Sequence, residues 1–556
     1  MRHAILGFAL LAGTAAWAQP ADLVLRNGRI VTLDAGDRVV QAVAVRGERI
    51  AAVGSEAEIA PLVGPATASL DLGGRTVVPG LIDSHLHQLF AALNGPQVQL
   101  LDARSIADVQ KAIAARVATT PPGNWVVASS GWHESLLAEG RMPTRHELDA
   151  VSPEHPVIIP RGGHVVTVNS KALERAGITK DTPSPLGGVI VRDANGEATG
   201  VLLQNAANLA RRVQPSPPPP PRQIELLKAA MAELNRHGLT GVVEPGLDAR
   251  AVAVYNQLRA EGGMTVRTDV LLRGASKADV EAAIKLAAEQ SNDLWLRFIG
   301  VKFPIDGGVE GARMYRPYRI VPGEQTNPDY RGVLLMPPGG EDEYVESLKL
   351  VARAGLVAQT HAVGDETIDA VTRAYKRVDA EFPLKGRRWA VMHIFLPTPD
   401  AIRELARMGV MATAQDHPVL LGHNQRRWWG EERAAYAIPI RALIDAGIHV
   451  GGGTDGPVLP VDPFLSMGWM TTRRVLAGYV LGPEQAIAPR EALRLYTVNN
   501  AVLLGTERER GTLETGKLAD LAVLSQDILS VPRESIRDTK AVLTVVGGKI
   551  VHRAGL

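Results

Sequence analysis

The 556-residue sequence predicts an α/β protein: a (β/α)₈ TIM-like barrel, a small β-sandwich domain built from both termini, and an inserted α/β subdomain. Three observations carry that expectation. Eight short apolar runs, near 78–84, 240–245, 264–272, 296–303, 356–360, 388–393, 409–414 and 448–454, read as buried strands. Amphipathic helical stretches such as 224–235 and 343–354 separate most of them, as parallel β/α units require. Histidine, lysine and aspartate stand at the C-terminal ends of several runs, where such a barrel gathers its reactive groups.

Residues 22–77 read as short strands with turns. Asp22-Leu23-Val24-Leu25-Arg26-Asn27-Gly28 runs into an Asn-Gly turn, and 42–52 and 76–78 look similar. The C-terminal stretch repeats the style with Ala519-Asp520-Leu521-Ala522-Val523-Leu524, then 541–546 and 549–551 around Gly547-Gly548. Residues 22–77 plus 505–556 are therefore assigned to the small β-domain, and 78–504 to the barrel. The segment from about 90 to 222 is too long for a structureless loop and reads as an inserted subdomain. It closes on Pro215-Ser216-Pro217 and four further prolines, a stiff extended connector.

Residues 1–18 read as a secretory signal peptide. Met1-Arg2-His3 is the charged start, 4–13 the apolar core, and Ala16-Trp17-Ala18 a small-x-small cleavage site before Gln19. The alternative is a buried N-terminal helix. The apolar run is short for a membrane span. The expectation is an exported protein of a bacterial periplasm with no stable membrane anchor. A net charge of +1 gives no reason to expect nucleic-acid or membrane-surface binding. The sequence has no cysteine, so any metal must use histidine, carboxylate or modified lysine. The partner expected is a small-molecule substrate; whether the chain forms a homo-oligomer stays open.

The run 78–87 is the most informative. It is a short apolar strand ending in His85-Leu86-His87, and alternation along a strand puts both imidazoles on one face. Two imidazoles there are half of a transition-metal site; two unrelated surface histidines are the alternative. Later strand ends add Lys302, His361, His393 and Asp455. Their apolar flanks set them apart from casual surface residues. For His361 and His393 the competing role is a satisfied core histidine, and for Asp455 a structural turn carboxylate. Glu244, at the end of the second strand, is a rival acidic ligand or a packing carboxylate.

This set resembles the amidohydrolase superfamily, and within it amidohydrolase family 3. The resemblance rests on Pro79-Gly80-Leu81-Ile82-Asp83-Ser84-His85-Leu86-His87, Lys302 with Asp306-Gly307, His361-Ala362-Val363-Gly364-Asp365, His393, Thr454-Asp455 and Gly516-Lys517-Leu518-Ala519-Asp520-Leu521. It covers nearly the whole chain, and the nearest-looking branch is that of the N-substituted formamide deformylases. The resemblance implies two divalent metal ions, with zinc the default for nitrogen and oxygen ligands. His85, His87 and Asp455 would hold one ion, and His361 and His393 the other. Lys302, carboxylated by carbon dioxide, would bridge them as a carbamate; a salt-bridging lysine beneath a one-metal site is the alternative. A metal-bound water would lose its proton near neutral pH and attack a polarised carbonyl. Asp455, the catalytic residue, would accept that proton and return it to the leaving nitrogen.

Substrate clues are fewer. His164, in Arg161-Gly162-Gly163-His164-Val165, resembles a family element facing the site. The segment 415–436 is long for a βα loop, and Trp428-Trp429 could stack on a ring or pack as a lid. Trp132-His133-Glu134 is ambiguous: family relatives often carry aspartate where His133 stands. Met314-Tyr315-Arg316 is a further candidate contact.

The reading is an exported hydrolase of an amide-type C–N bond. Ester or lactone hydrolysis, deamination, isomerisation or decarboxylation would use the same metal site. Single-metal deaminases usually carry a glutamate shortly after the fifth-strand histidine, whereas here Gly364 is followed by Asp365 and Glu366. A non-catalytic periplasmic binding or regulatory protein is the reading from another class, and the complete ligand set argues against it.

Overall fold

The computed structural model describes residues 19–322 and 327–556; the signal-peptide reading lies outside them. The eight apolar runs become one parallel sheet. Its strands are Leu81–Asp83, Leu239–Leu247, Arg267–Arg273, Leu296–Pro304, Val357–Ala362, Ala390–His393, Met411–Gln415 and Val450–Gly453, paired in chain order. Burial on both faces explains why they read as near-continuous apolar runs.

The outer helices follow their apolar stripes. Gly340–Arg353 buries Tyr344, Val345, Leu348, Val351 and Ala352 at three- and four-residue spacing. Its first turn carries Glu341, Asp342 and Glu343 and its last turn Arg353, matching the helix dipole. Pro399–Met408 starts on a Thr398 cap and stops at Gly409, whose φ of 66° suits glycine.

The first and last strands meet without a regular ladder, and a set of polar contacts closes the barrel there. Ser84 N donates to Gly452 O at 2.9 Å, and Asp455 N to His85 O at 2.8 Å. Asp83, fully buried, accepts from His85 N at 2.9 Å, Thr454 N at 3.0 Å and Thr454 Oγ1 at 2.7 Å. Asn500 Nδ2 donates across the seam to Ile82 O at 2.6 Å and Gly452 O at 2.8 Å. Close approach explains the glycine run of the last strand. A Cβ on Gly453 would lie 2.8 Å from Asp83 Oδ1, and one on Gly452 2.8 Å from the Tyr496 ring.

Two sheets flank the barrel. One orders Arg49–Gly54, Ala42–Arg46, Leu23–Arg26 and Ala68–Asp71. The other orders Lys549–Arg553, Ala541–Val546, Leu521–Leu524, Thr76–Pro79, Arg29–Val31 and Val39–Val40, so both ends of the chain share it. Leu25, Val43, Val45, Leu521 and Leu543 are buried in the core they share. A buried ion pair, Arg267 Nε to Asp520 Oδ2 at 2.7 Å, ties the barrel to this layer. Within 90–222 a five-stranded sheet runs Gly188–Arg192, Ala198–Gln204, Val165–Val168, Val157–Arg161 and Val126–Val127. No helix among the described residues is long and apolar enough to cross a membrane.

The segment after the seventh strand is not a loop. It folds as helices Pro418–Trp429 and Glu431–Tyr436, the first with proline in its opening turn.

The seam yields a prediction. Asp83→Asn replaces an acceptor-only group with an amide that must aim donors at existing donors. It should destabilise the fold by about 1–3 kcal/mol, read as a lower midpoint of chemical unfolding. An unchanged midpoint would remove Asp83 from the closure of the barrel.

Candidate metal centre

The seam sets the first ligands. His85 and His87 follow the first strand, and Asp455, with φ at 56°, follows the last. Asp455 Oδ1 lies 3.4 Å from His85 Nε2 and 3.5 Å from His87 Nε2. Its other oxygen, Oδ2, lies 2.9 Å from His417 Nε2. Two groups able to hold an ion result: His85, His87 and Asp455, and His393, His417 and Asp455. Asp455 belongs to both.

Several of these atoms are buried without a protein partner: both nitrogens of His85, Nδ1 of His393, Nδ1 of His417 and Oδ1 of Asp455. Orphaned nitrogen and oxygen donors, converging and lacking any thiolate, fit a divalent transition ion. Burial also prepares them. It holds His85 and His393 well below the usual histidine range, so both are neutral. His87, with 28% of its side chain exposed, is lowered to about 4, again chiefly by burial. Burial opposes charge on Asp455, yet His85, His417 and His87 together hold its carboxyl well below the usual range.

The remaining strand-end residues line the same cavity, about 220 Å³ in volume. Lys302 is among them, and burial lowers its ammonium to about 8. His361 packs its ring 4.5 Å from that of His393. Its Nε2 lies 3.3 Å from Asp306 Oδ1 and 3.3 Å from Gly307 O, and it is in neither three-residue group. Asp306 is buried, accepting from Gly364 N at 2.9 Å and Val363 N at 3.1 Å, and it orients that histidine.

His417 is the residue that the reading of strand ends passed over. It sits two residues beyond the seventh strand, in Gln415-Asp416-His417, and the strand-end rule applied to that strand would have found it. Glu244 takes the packing role: it accepts from Tyr255 Oη at 2.7 Å and Leu89 N at 3.1 Å, capping the helix after His87. Burial raises its carboxyl to about 8.

Among the substrate candidates, His164 lines the cavity, its Nδ1 2.9 Å from Gln204 Oε1. Trp428 and Trp429 require correction. They are buried in helix Pro418–Trp429 and outside the cavity lining, with Trp429 Nε1 donating to Val309 O at 3.3 Å. That helix instead shows His417, Leu420 and Leu421 to the cavity. The indoles are apolar, so the helix turns them into the core. Tyr315 is directed away too, its Oη 3.0 Å from Asp369 Oδ2. Asp365 and Glu366 are occupied outside the cavity: Asp365 accepts from Tyr315 N at 2.9 Å, and Glu366 from Arg313 Nε at 2.8 Å.

Comparison with known proteins agrees with this architecture. The chain matches the model of an amidohydrolase family over residues 69–552. It is 30% identical over 547 residues to an N-substituted formamide deformylase of Arthrobacter pascens, covering 95% of this chain and 98% of that protein. It is also 30% identical to the putative amidohydrolase YtcJ of Bacillus subtilis (strain 168), covering 95% and 99%. Among solved structures, an uncharacterized metal-dependent hydrolase from Pyrococcus furiosus superposes with a TM-score of 0.69 at 25% identity, covering 91% of this chain and all of that one.

Metal ligation needs neutral imidazole. Uptake of zinc by the His85, His87 and Asp455 group of the metal-free protein should therefore hold steady as pH falls through 6.5 and weaken only as it nears about 4, where His87 gains a proton. Titration of binding against pH checks this; a loss centred near 6.5 would contradict the effect of burial.

Proposed function

The chain belongs to the amidohydrolase family, a metal-dependent hydrolytic enzyme, and from that premise we propose that it is exported and cleaves an amide-type C–N bond of a small molecule. The observation that carries the reading is Asp455, one carboxylate shared by two groups of potential ligands. His85, His87 and Asp455 would hold one ion. His393, with His361 from the fifth strand and His417 from the seventh, would serve the second. Zinc suits this nitrogen and oxygen set. When bound, such ions make water more acidic and polarise a carbonyl.

The chain's own residues do the rest. Asp455 Oδ1 faces His85 and His87 while Oδ2 is tied to His417, so the carboxylate is held in one orientation. It takes a proton from the attacking water and delivers it to the leaving nitrogen. Lys302, lowered to about 8 by burial, has a neutral amine fraction near neutral pH that can add carbon dioxide, releasing a proton and leaving an anionic carbamate. So modified, Lys302 would join the histidines and Asp455 in holding the ions. The cavity wall, with Val309, Leu335, Phe395 and Leu459, is apolar and suits an apolar substituent. The name of the Arthrobacter relative supports a formamide or related amide as substrate. Deamination draws no support from Asp365 and Glu366, which are engaged elsewhere.

A panel of N-benzylformamide, its acetamide, and matched esters and lactones tests the reading. The amides should release amine and carboxylate, and Asp455→Asn should lower kcat by about 10²–10⁴-fold with the fold intact. Turnover of esters or lactones alone, or full activity in Asp455→Asn, would reject it. Export is checked by the mature N-terminus, expected at Gln19.

A further inference from the structure

His133, from the insertion, lines the cavity but has no part in the metal chemistry above. Its ring is buried. Nδ1 accepts from the backbone N–H of Ser135 at 3.1 Å, with the Ser135 hydroxyl 2.9 Å away. An Nδ1 that accepts a hydrogen bond carries no proton, so the neutral ring has its hydrogen on Nε2. That Nε2 is buried and without a protein partner. Glu134 Oε2 stands 3.5 Å from Nδ1, but Arg161 Nε holds it at 2.9 Å. Burial keeps the imidazole far below its ordinary range, and Arg161 adds to that. The single hydroxyl hydrogen of Ser135 goes to Leu420 O at 2.8 Å, which ties the histidine's partner to the helix beneath the cavity. The donor that makes Nδ1 an acceptor is therefore the backbone N–H of Ser135, whose direction the chain fixes.

Arg161 lines the same wall, but its charge is spent. Glu134 grips it on one side and Glu310 on the other, and Asn424 Nδ2 steadies Glu134 at 2.8 Å. Apart from Lys302, no other lysine or arginine among the described residues lines the cavity. A substrate carboxylate would meet the same donor but no free cation on this wall to offset the loss of its hydration, whereas an uncharged oxygen needs only the donor.

We propose that His133 is a specificity-determining residue whose Nε2–H donates to an uncharged acceptor in the body of the substrate, away from the bond that is cut. The pairing selects neutral, oxygen-bearing apolar amides over carboxylate analogues, and for its kinetics it rests on the amide reading above. A buried donor left unpaired is costly, and a substrate oxygen that satisfies it gains selectivity over one that cannot.

The test uses metal-loaded enzyme and three probes, the ortho, meta and para N-(methoxybenzyl)formamides, beside N-benzylformamide and the matching carboxylates. At least one methoxy isomer should show a KM about three- to tenfold below that of N-benzylformamide. His133→Phe should erase that advantage with little change in kcat, and His133→Gln, which keeps a donor, should restore part of it. The carboxylates should bind worst. Independently of turnover, nitrogen-15 spectra of histidine-labelled protein should show the Nε2–H form of His133 and a shift of Nε2 on adding the favoured isomer. An Nδ1–H form, or no isomer advantage and no Nε2 shift, would overturn the proposal and leave Nε2 to an ordered water only. If the wild type hydrolyses none of these compounds, the amide reading fails, while the nitrogen shift still decides the role of His133.

Discussion

Everything in the site depends on how the barrel closes. Asp83 places one buried carboxylate between the first and last strands, taking donors from His85 on its own strand's extension and from Thr454 opposite. Burial pushes that carboxyl up, and the His85 and Thr454 donors pull it back, leaving it at about 7; without them the position would be costlier still. The same seam carries His85 and His87 on one side and Asp455 on the other. Closure and ligand geometry are thus a single construction: loosening the clamp moves a carboxylate that both potential ion sites share.

Burial has a second consequence. It keeps His85, His87 and His393 neutral and lowers Lys302 to about 8, so that a fraction of its amine sheds the charge that would repel a cation. A cluster of largely buried imidazoles would be unfavourable if charged. As neutral donors around an anionic Asp455 they await a cation, and the orphaned nitrogens mark where it belongs. The insertion supplies the opposite wall, where Arg161 is balanced by two glutamates, so the field at the centre is set by the barrel's own residues.

Much of this was legible in the sequence because parallel strands buried on both faces leave apolar runs, and their ends expose the chemistry. Leu239–Leu247 and Val450–Gly453 were readable for that reason. His417 was legible by the same rule, two residues past the seventh strand, but was passed over because the segment after it read as a loop, whereas Pro418 opens a helix. Trp428 and Trp429 misled in the opposite direction, since an aromatic pair in a polar segment resembles a binding surface until helical periodicity turns it inward. The cross-seam contacts of Asp83 and Asn500, and the tautomer of His133, depend on partners distant in the chain, and no local pattern encodes them.

The central claim is that Asp455 is the shared hub of a two-ion site bridged by Lys302. Metal content per chain, measured on mature wild-type protein prepared with zinc and bicarbonate and on Asp455→Ala, with a mass spectrum across Lys302, tests it most directly. The account predicts near two ions per wild-type chain, a carboxylated Lys302, and loss of both ions in the variant. Near one ion in the wild type, with an unmodified Lys302 in protein kept under bicarbonate and unchanged metal in Asp455→Ala, would contradict it.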